Sequence, residues 1–362
     1  MDSPLLRAWH DAARDALPGG AEVWDAHTHT GGADPDGVGI DTAGLLDRLD
    51  AGGTATAVMC TSADPDGYDG PNRRVLADAA ASRGRLVPFA RVDPTDGGAA
   101  ESARRAVEAG HRGIKLHPRS EGFGMGDPGV DRVCGVAAAA RVPVLIHAGR
   151  GMAPLGRPVV DLLDRHDGLT MILAHCAISD LTWIAPEADG RPGLLFDTSW
   201  WNPADLAALF AWVDSSQILY ASDTPYGDPL GSFGLTMRSA LAAGLGPEAL
   251  EAVFGGNLRR VLDGGAAEPL GRGTSVPPDE MTLRVASSLY AAIASVFAGR
   301  LGTQPIELAL RALEAADPTP VQRTLTTTLE AAREAEGRDR LWLLISACSG
   351  ALAPAAVPKH SC

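Results

Sequence analysis

Between Val23 and Leu262 short apolar runs alternate, eight times over, with Ala-, Leu- and Arg-rich stretches of helical periodicity. No other feature restricts the fold as much. Strands are expected near residues 23–27, 55–61, 86–92, 113–117, 142–147, 170–175, 194–198 and 218–222. Helices are expected near 42–51, 72–82, 99–109, 130–140, 159–166, 180–188 and 204–213, with 232–243 and 257–262 closing the unit. The apolar runs are continuous rather than alternating, as strands are when helices cover one face and packed side chains fill the other. Eight such units in roughly 240 residues have the size and order of a (β/α)8 TIM barrel, an α/β fold. A doubly wound sheet is the structural alternative. It binds its ligand at one switch point, yet no G-x-G-x-x-G or G-x-x-x-x-G-K-[ST] follows any strand.

A leading helix is expected over residues 5–17, before Pro18-Gly19-Gly20 breaks it, so 1–21 is read as an N-terminal helix and 22–264 as the barrel. A linker rich in Gly and Pro follows. Residues 275–362 are read as a C-terminal helical appendage, with segments at 281–299, 305–316, 320–336 and 338–352. Leu289, Ile293, Val296 and Phe297 recur at helical spacing there, as do Leu308, Ala312 and Ala315. Such a region packs on the barrel or on a second subunit, which makes a homo-oligomer an open expectation.

A formal net charge of −14 argues against nucleic acid or an anionic membrane as partner, because both need a basic face. No apolar run approaches a membrane span, and Met1-Asp2-Ser3-Pro4-Leu5 does not open a signal peptide. Five scattered cysteines without a C-x-x-C pair suit a reducing cytoplasm. A small molecule is the expected partner.

The chemistry lies at the strand ends. In Val23-Trp24-Asp25-Ala26-His27-Thr28-His29-Thr30 the two histidines stand at i and i+2, on one side of a strand, where they can grip one metal ion. The fourth strand ends Lys115-Leu116-His117-Pro118, the fifth His147-Ala148-Gly149, the sixth His175-Cys176 and the eighth Ser222-Asp223-Thr224. Converging on one barrel mouth, they supply several imidazoles and a carboxylate, enough for a metal that keeps an open position for water.

This set, His27-x-His29, Lys115/His117, His147, His175 and Asp223, resembles the amidohydrolase superfamily, in particular its amidohydrolase-related branch of metal-dependent barrel hydrolases and decarboxylases. The resemblance covers roughly residues 22–262 and leaves the helical appendage unmatched. It implies that His27, His29, His147 and Asp223 are metal ligands, zinc being the expected ion. It further implies that His175 orients the bound water or polarises the substrate carbonyl, and that Asp223 doubles as the base. In some relatives a lysine placed like Lys115 is carboxylated and bridges two metals; in others the site holds one. His117-Pro118 looks like the one-metal branch, and Lys115 is then a cation for a substrate carboxylate or a nearby acid.

His117, Arg119, Arg150, Trp200 and Tyr226 are the expected substrate contacts, with Arg91 and Trp201 beside them. Arginine forks suit a carboxylate and the aromatic rings suit a planar group. The glycine-rich loops 31–37 and 121–126 are candidate lids. The activity expected is hydrolysis of a C–N or C–O bond in a small, carboxylate-bearing molecule. Non-oxidative decarboxylation and an inactive barrel scaffold are the alternatives.

Overall fold

The computed structural model of the chain describes residues 3–34, 37–274, 278–299, 303–314 and 318–359, without the side chain of Phe297. Pro35 and Asp36 of the first glycine-rich loop, 275–277 of the appendage, Ala315 and Cys362 lie outside the described residues. Eight parallel strands are hydrogen-bonded in sequence order: β1 (Val23–Thr30), β2 (Thr54–Thr61), β3 (Leu86–Arg91), β4 (Gly113–Leu116), β5 (Val144–Ile146), β6 (Met171–Leu173), β7 (Leu194–Asp197) and β8 (Ile218–Leu219). Backbone bonds then join the last strand to the first. Ala26 N–H donates to Tyr220 O, Asp223 N–H to His27 O, and His29 N–H to Thr224 O. The TIM barrel read from the sequence is the fold observed.

Helix α1 (Pro4–Arg14) precedes the barrel. Around it run α2 (Thr42–Ala51), α3 (Asp69–Ala81), α4 (Ala99–Glu108), α5 (Pro118–Glu121), α6 (Pro128–Ala140), α7 (Gly156–Arg165), α8 (Leu181–Ile184), α9 (Pro203–Trp212), α10 (Pro229–Ala242), α11 (Pro247–Glu251) and α12 (Asn257–Leu262). The appendage comprises α13 (Glu280–Phe297), α14 (Gln304–Leu313), α15 (Pro320–Glu334) and α16 (Gly337–Leu352). Proline opens many of these helices, where its missing N–H costs nothing, and Asp41, Asn202 and Asp228 accept backbone N–H groups as caps.

Several boundaries shift by a few residues, as at α1, which ends at Arg14 rather than Leu17, and two elements change in kind or are cut short. The helix expected over 180–188 is the short α8 and a separate turn at Pro186–Ala188, because Pro186 has no N–H to continue the ladder. The eighth strand was expected to reach Ser222 but keeps regular pairing only to Leu219. The next three N–H groups go elsewhere: Tyr220 to Val253 O, Ala221 to Thr198 Oγ1, and Ser222 to Asp25 Oδ1.

Val58, Phe89, Leu145, Ile172, Leu195 and Leu219 fill the barrel, all fully buried. Gly113 faces Phe89 so closely that a Cβ would lie 2.4 Å from its ring. A second buried cluster lies outside the sheet and runs on through α1 and the appendage. Trp9 of α1 donates from Nε1 to Thr328 Oγ1 of α15 at 3.0 Å, and Gly350 of α16 lies against its ring. Arg238 of α10 is buried in the same place. Its Nε donates to Ser349 Oγ, its Nη1 to Trp9 O, and its guanidinium lies 4.9 Å from the centre of the Trp9 ring. Burial without a charged partner among these contacts pulls its pKa down to about 9. The appendage thus packs on the barrel of its own chain. No helix among the described residues is long and apolar enough to cross a membrane.

Candidate metal centre

A cavity of about 440 Å³ opens at the C-terminal ends of the strands. His27, His29, Lys115, His117, Arg119, His147, Arg150, His175, Trp200, Asp223 and Tyr226 all line it. At its floor three potential ligands converge. His27 Nε2 lies 3.0 Å from His29 Nε2, and Asp223 Oδ1 lies 3.5 Å from the first and 3.2 Å from the second.

The protonation of His27 follows from its neighbours. Its Nδ1 is 3.0 Å from Asp197 Oδ2, and a buried carboxylate accepts, so Nδ1 carries the proton and Nε2 presents a lone pair to the cavity. Burial first, and then the neighbouring Lys115, hold the His27 pKa well below the usual histidine value, so the ring stays neutral. Tetrahedral zinc with bonds of about 2.0–2.2 Å sets its ligand atoms about 3.3–3.6 Å apart. The separations observed are close to that. Two imidazole nitrogens and a carboxylate oxygen so crowded form a donor set that fits a divalent cation.

Asp197 is the main residue that the sequence reading missed. Fully buried at the end of β7, it orients His27 through Oδ2 and accepts through Oδ1 from the N–H groups of His175 and Ser199. A signal was present, since a strand ending in a carboxylate is the feature that singled out Asp223. Carboxylates behind a ligand histidine fix its tautomer and raise its basicity. Asp197→Ala is therefore expected to weaken zinc binding about 10–100-fold, measured by competition with a chromophoric chelator. Unchanged affinity would remove Asp197 from the centre. Asp25 was missed too: buried within β1, it accepts from His27 N–H and Ser222 N–H, and burial pushes its pKa up to about 7.

His147 stands outside the three converging residues, coupled to His175. Ser199 O lies 2.8 Å from His175 Nδ1, and a carbonyl only accepts, so His175 Nε2 is itself an acceptor and His147 donates to it from Nδ1 at 2.9 Å. His147 Nε2 is left a lone pair with no hydrogen-bond partner among the described residues. His117 stacks on His147 at 4.0 Å. His175, Cys176 and Ala177 all have left-handed backbones (φ 59°, 57° and 52°), as does Asp223 (φ 55°), and backbone strain of this kind gathers at functional sites.

Lys115 is wholly buried, with Nζ 2.8 Å from His27 Nε2, and burial lowers its pKa. The rim cations differ among themselves. Arg91 is buried and spent on Glu121, at 2.7 Å, whereas Arg119 and Arg150 are exposed at the mouth. The Arg150 guanidinium lies 5.1 Å from the centre of the Trp200 ring, whose Nε1 donates to Asp205. Tyr226 meets His29 edge-on and donates its hydroxyl to Asp34, a lining residue that the sequence reading left out.

A family model described as Amidohydrolase matches residues 24–264. Among solved structures, 2,6-dihydroxybenzoate decarboxylase from Rhizobium is similar at 15% identity and a TM-score of 0.53, over 67% of this chain and 99% of that one. 5-Carboxyvanillate decarboxylase from Sphingomonas paucimobilis is similar at 14% identity and 0.54, over 67% and 99%. 4-Oxalomesaconate hydratase from Rhodopseudomonas palustris is similar at 17% identity and 0.50, over 67% and 96%. At these identities the likeness is one of fold. No curated protein matches the chain.

Proposed function

Since the chain belongs to the amidohydrolase family, we propose that it is a metal-dependent hydrolase cleaving a C–N or C–O bond, as in an amide or lactone, of a small carboxylate-bearing molecule. The observation that carries this reading is the convergence of His27 Nε2, His29 Nε2 and Asp223 Oδ1 at the floor of the cavity. One divalent ion, zinc by preference, is assigned to these atoms, with His147 Nε2, which lies outside the three in this structure, drawn in as the fourth donor. Such an ion, when bound, polarises a carbonyl and brings the pKa of water down towards about 7.

The protein's own groups do the rest. Asp223 takes the proton from water and passes it to the leaving group. His175, whose Nδ1–H is committed to Ser199 O, accepts at Nε2 from His147 Nδ1–H, and so keeps the His147 Nε2 lone pair available as a donor. Arg119 and Arg150 receive the substrate carboxylate at the mouth. Loss of CO2 from an aromatic acid is the second reading. It is favoured by the Arg150–Trp200 pair and by two similar structures that are decarboxylases by name.

Elemental analysis of the purified chain should give about one divalent ion per molecule. A panel of amides, lactones and aromatic acids, followed for both hydrolysis and CO2, should then show bond cleavage without CO2. Release of CO2 alone would establish decarboxylation instead, about two ions per chain would indicate a carboxylated Lys115, and failure to load metal would leave a scaffold.

A further inference from the structure

We propose that Trp342, in the helical region beyond the family match, is a positioning residue for the aromatic wall of the metal cavity. Trp200 and Trp201, in the loop after β7, both line the cavity, with ring centroids 6.2 Å apart and planes 17° from parallel. Trp201 also meets Trp342 of α16 edge-on, at 6.4 Å and 73°. Trp342 is only 3% exposed. It lies so close to α10 that a Cβ on Gly231 would come within 2.5 Å of the indole. In the loop after β8 Gly227 is pressed likewise: a Cβ there would lie 2.0 Å from Ser222 O and 3.0 Å from Trp201 Nε1.

Three indoles are therefore in successive contact from the cavity to the appendage, with Trp201 pressed against the segment that carries Asp223 and Tyr226. Interiors are close-packed, so a ring that loses the atoms behind it shifts into the space. With Trp342 gone, Trp201 retreats and Trp200 loses its stacking partner. The metal donors are anchored separately, by the bonds between β1 and the loop after β8 and by Asp197. A defect at Trp342 is therefore felt by a planar ligand and not by the ion.

The test uses the zinc-loaded full chain and two probes, acetohydroxamate and benzohydroxamate, which chelate through the same group while only the second brings a ring to the wall. The choice of probes rests on the proposed metal centre. Trp342→Ala should raise the Kd of benzohydroxamate about tenfold, and that of acetohydroxamate by less than about twofold, while Trp342→Phe restores most of the difference. In a Trp201→Phe background Trp342→Ala should add nothing further, because its effect passes through Trp201. Equal losses for both probes, no loss for benzohydroxamate, or additive losses would overturn the proposal. If the wild-type chain binds neither probe, the metal reading fails. The wall is then judged in the metal-free chain by near-ultraviolet circular dichroism, where the changes from Trp342→Ala and Trp201→Phe must be non-additive. Should Trp342→Ala fail to fold, Trp342→Leu takes its place.

Discussion

Replacing His27 by alanine is expected to strip the metal from the chain and abolish turnover above background. In the proposed centre His27 and His29 chelate as a pair on one strand, their Nε2 atoms 3.0 Å apart. Losing one member leaves donors that no longer share that advantage. Zinc bound by four protein ligands is held by about 10–16 kcal/mol, so an even share of one ligand corresponds to a loss of affinity of about a hundred- to a thousandfold. A further consequence points the same way: Asp197 loses the imidazole it orients. Elemental analysis after dialysis, set beside activity, reads the outcome. Full metal with full activity in His27→Ala would place the chemistry elsewhere in the molecule.

Asp223→Asn is the second large effect, a fall in kcat of at least about a hundredfold with the fold intact. The substitution is conformationally mild. Asp223 has a left-handed backbone, which asparagine also tolerates, and its N–H bond to His27 O does not involve the side chain. What changes is the chemistry, since a carboxamide cannot accept a proton and is a poorer ligand. Burial raises the Asp223 pKa to about 7 in the chain without metal, and a divalent ion bound beside the carboxyl favours its ionised form, the form that ligates and accepts a proton. Steady-state kcat, with metal content and melting temperature as controls, decides it. Wild-type kcat in Asp223→Asn would assign the base to another group.

What the sequence made legible was periodic or local. The alternation of apolar runs and helical stretches gives the barrel, and the i, i+2 spacing gives the His27–His29 pair. Asp197 escaped because within the run 194–198 it reads as one more strand residue, and its partner His27 lies 170 positions away. The same holds for the shortened β8, whose N–H groups are claimed by Val253, Thr198 and Asp25 from three other parts of the chain. Arg91 reads as a rim cation in the sequence, but the buried Glu121 neutralises it in the fold. Helical spacing in the appendage shows that a face is buried but not what buries it. The seat of Trp342 on Gly231 is a matter of tertiary fit alone.

The position of Trp9 also sets a timetable. Its indole bonds to a residue 319 positions later, and the α1 surface made of Leu6, Trp9 and Ala13 is covered by α10, α15 and α16. A ribosome adding roughly 5–20 residues per second takes on the order of 15–60 s to travel that distance. Early in that interval the apolar face of α1 has nothing to lie on; α10 then covers part of it, and only α15 and α16 complete the cover. All eight βα units are out of the exit tunnel before that cover is complete, so the nascent barrel exists for a time as an unfinished particle with one sticky flank. Docking of α1 under the late helices is the event that ends this exposure.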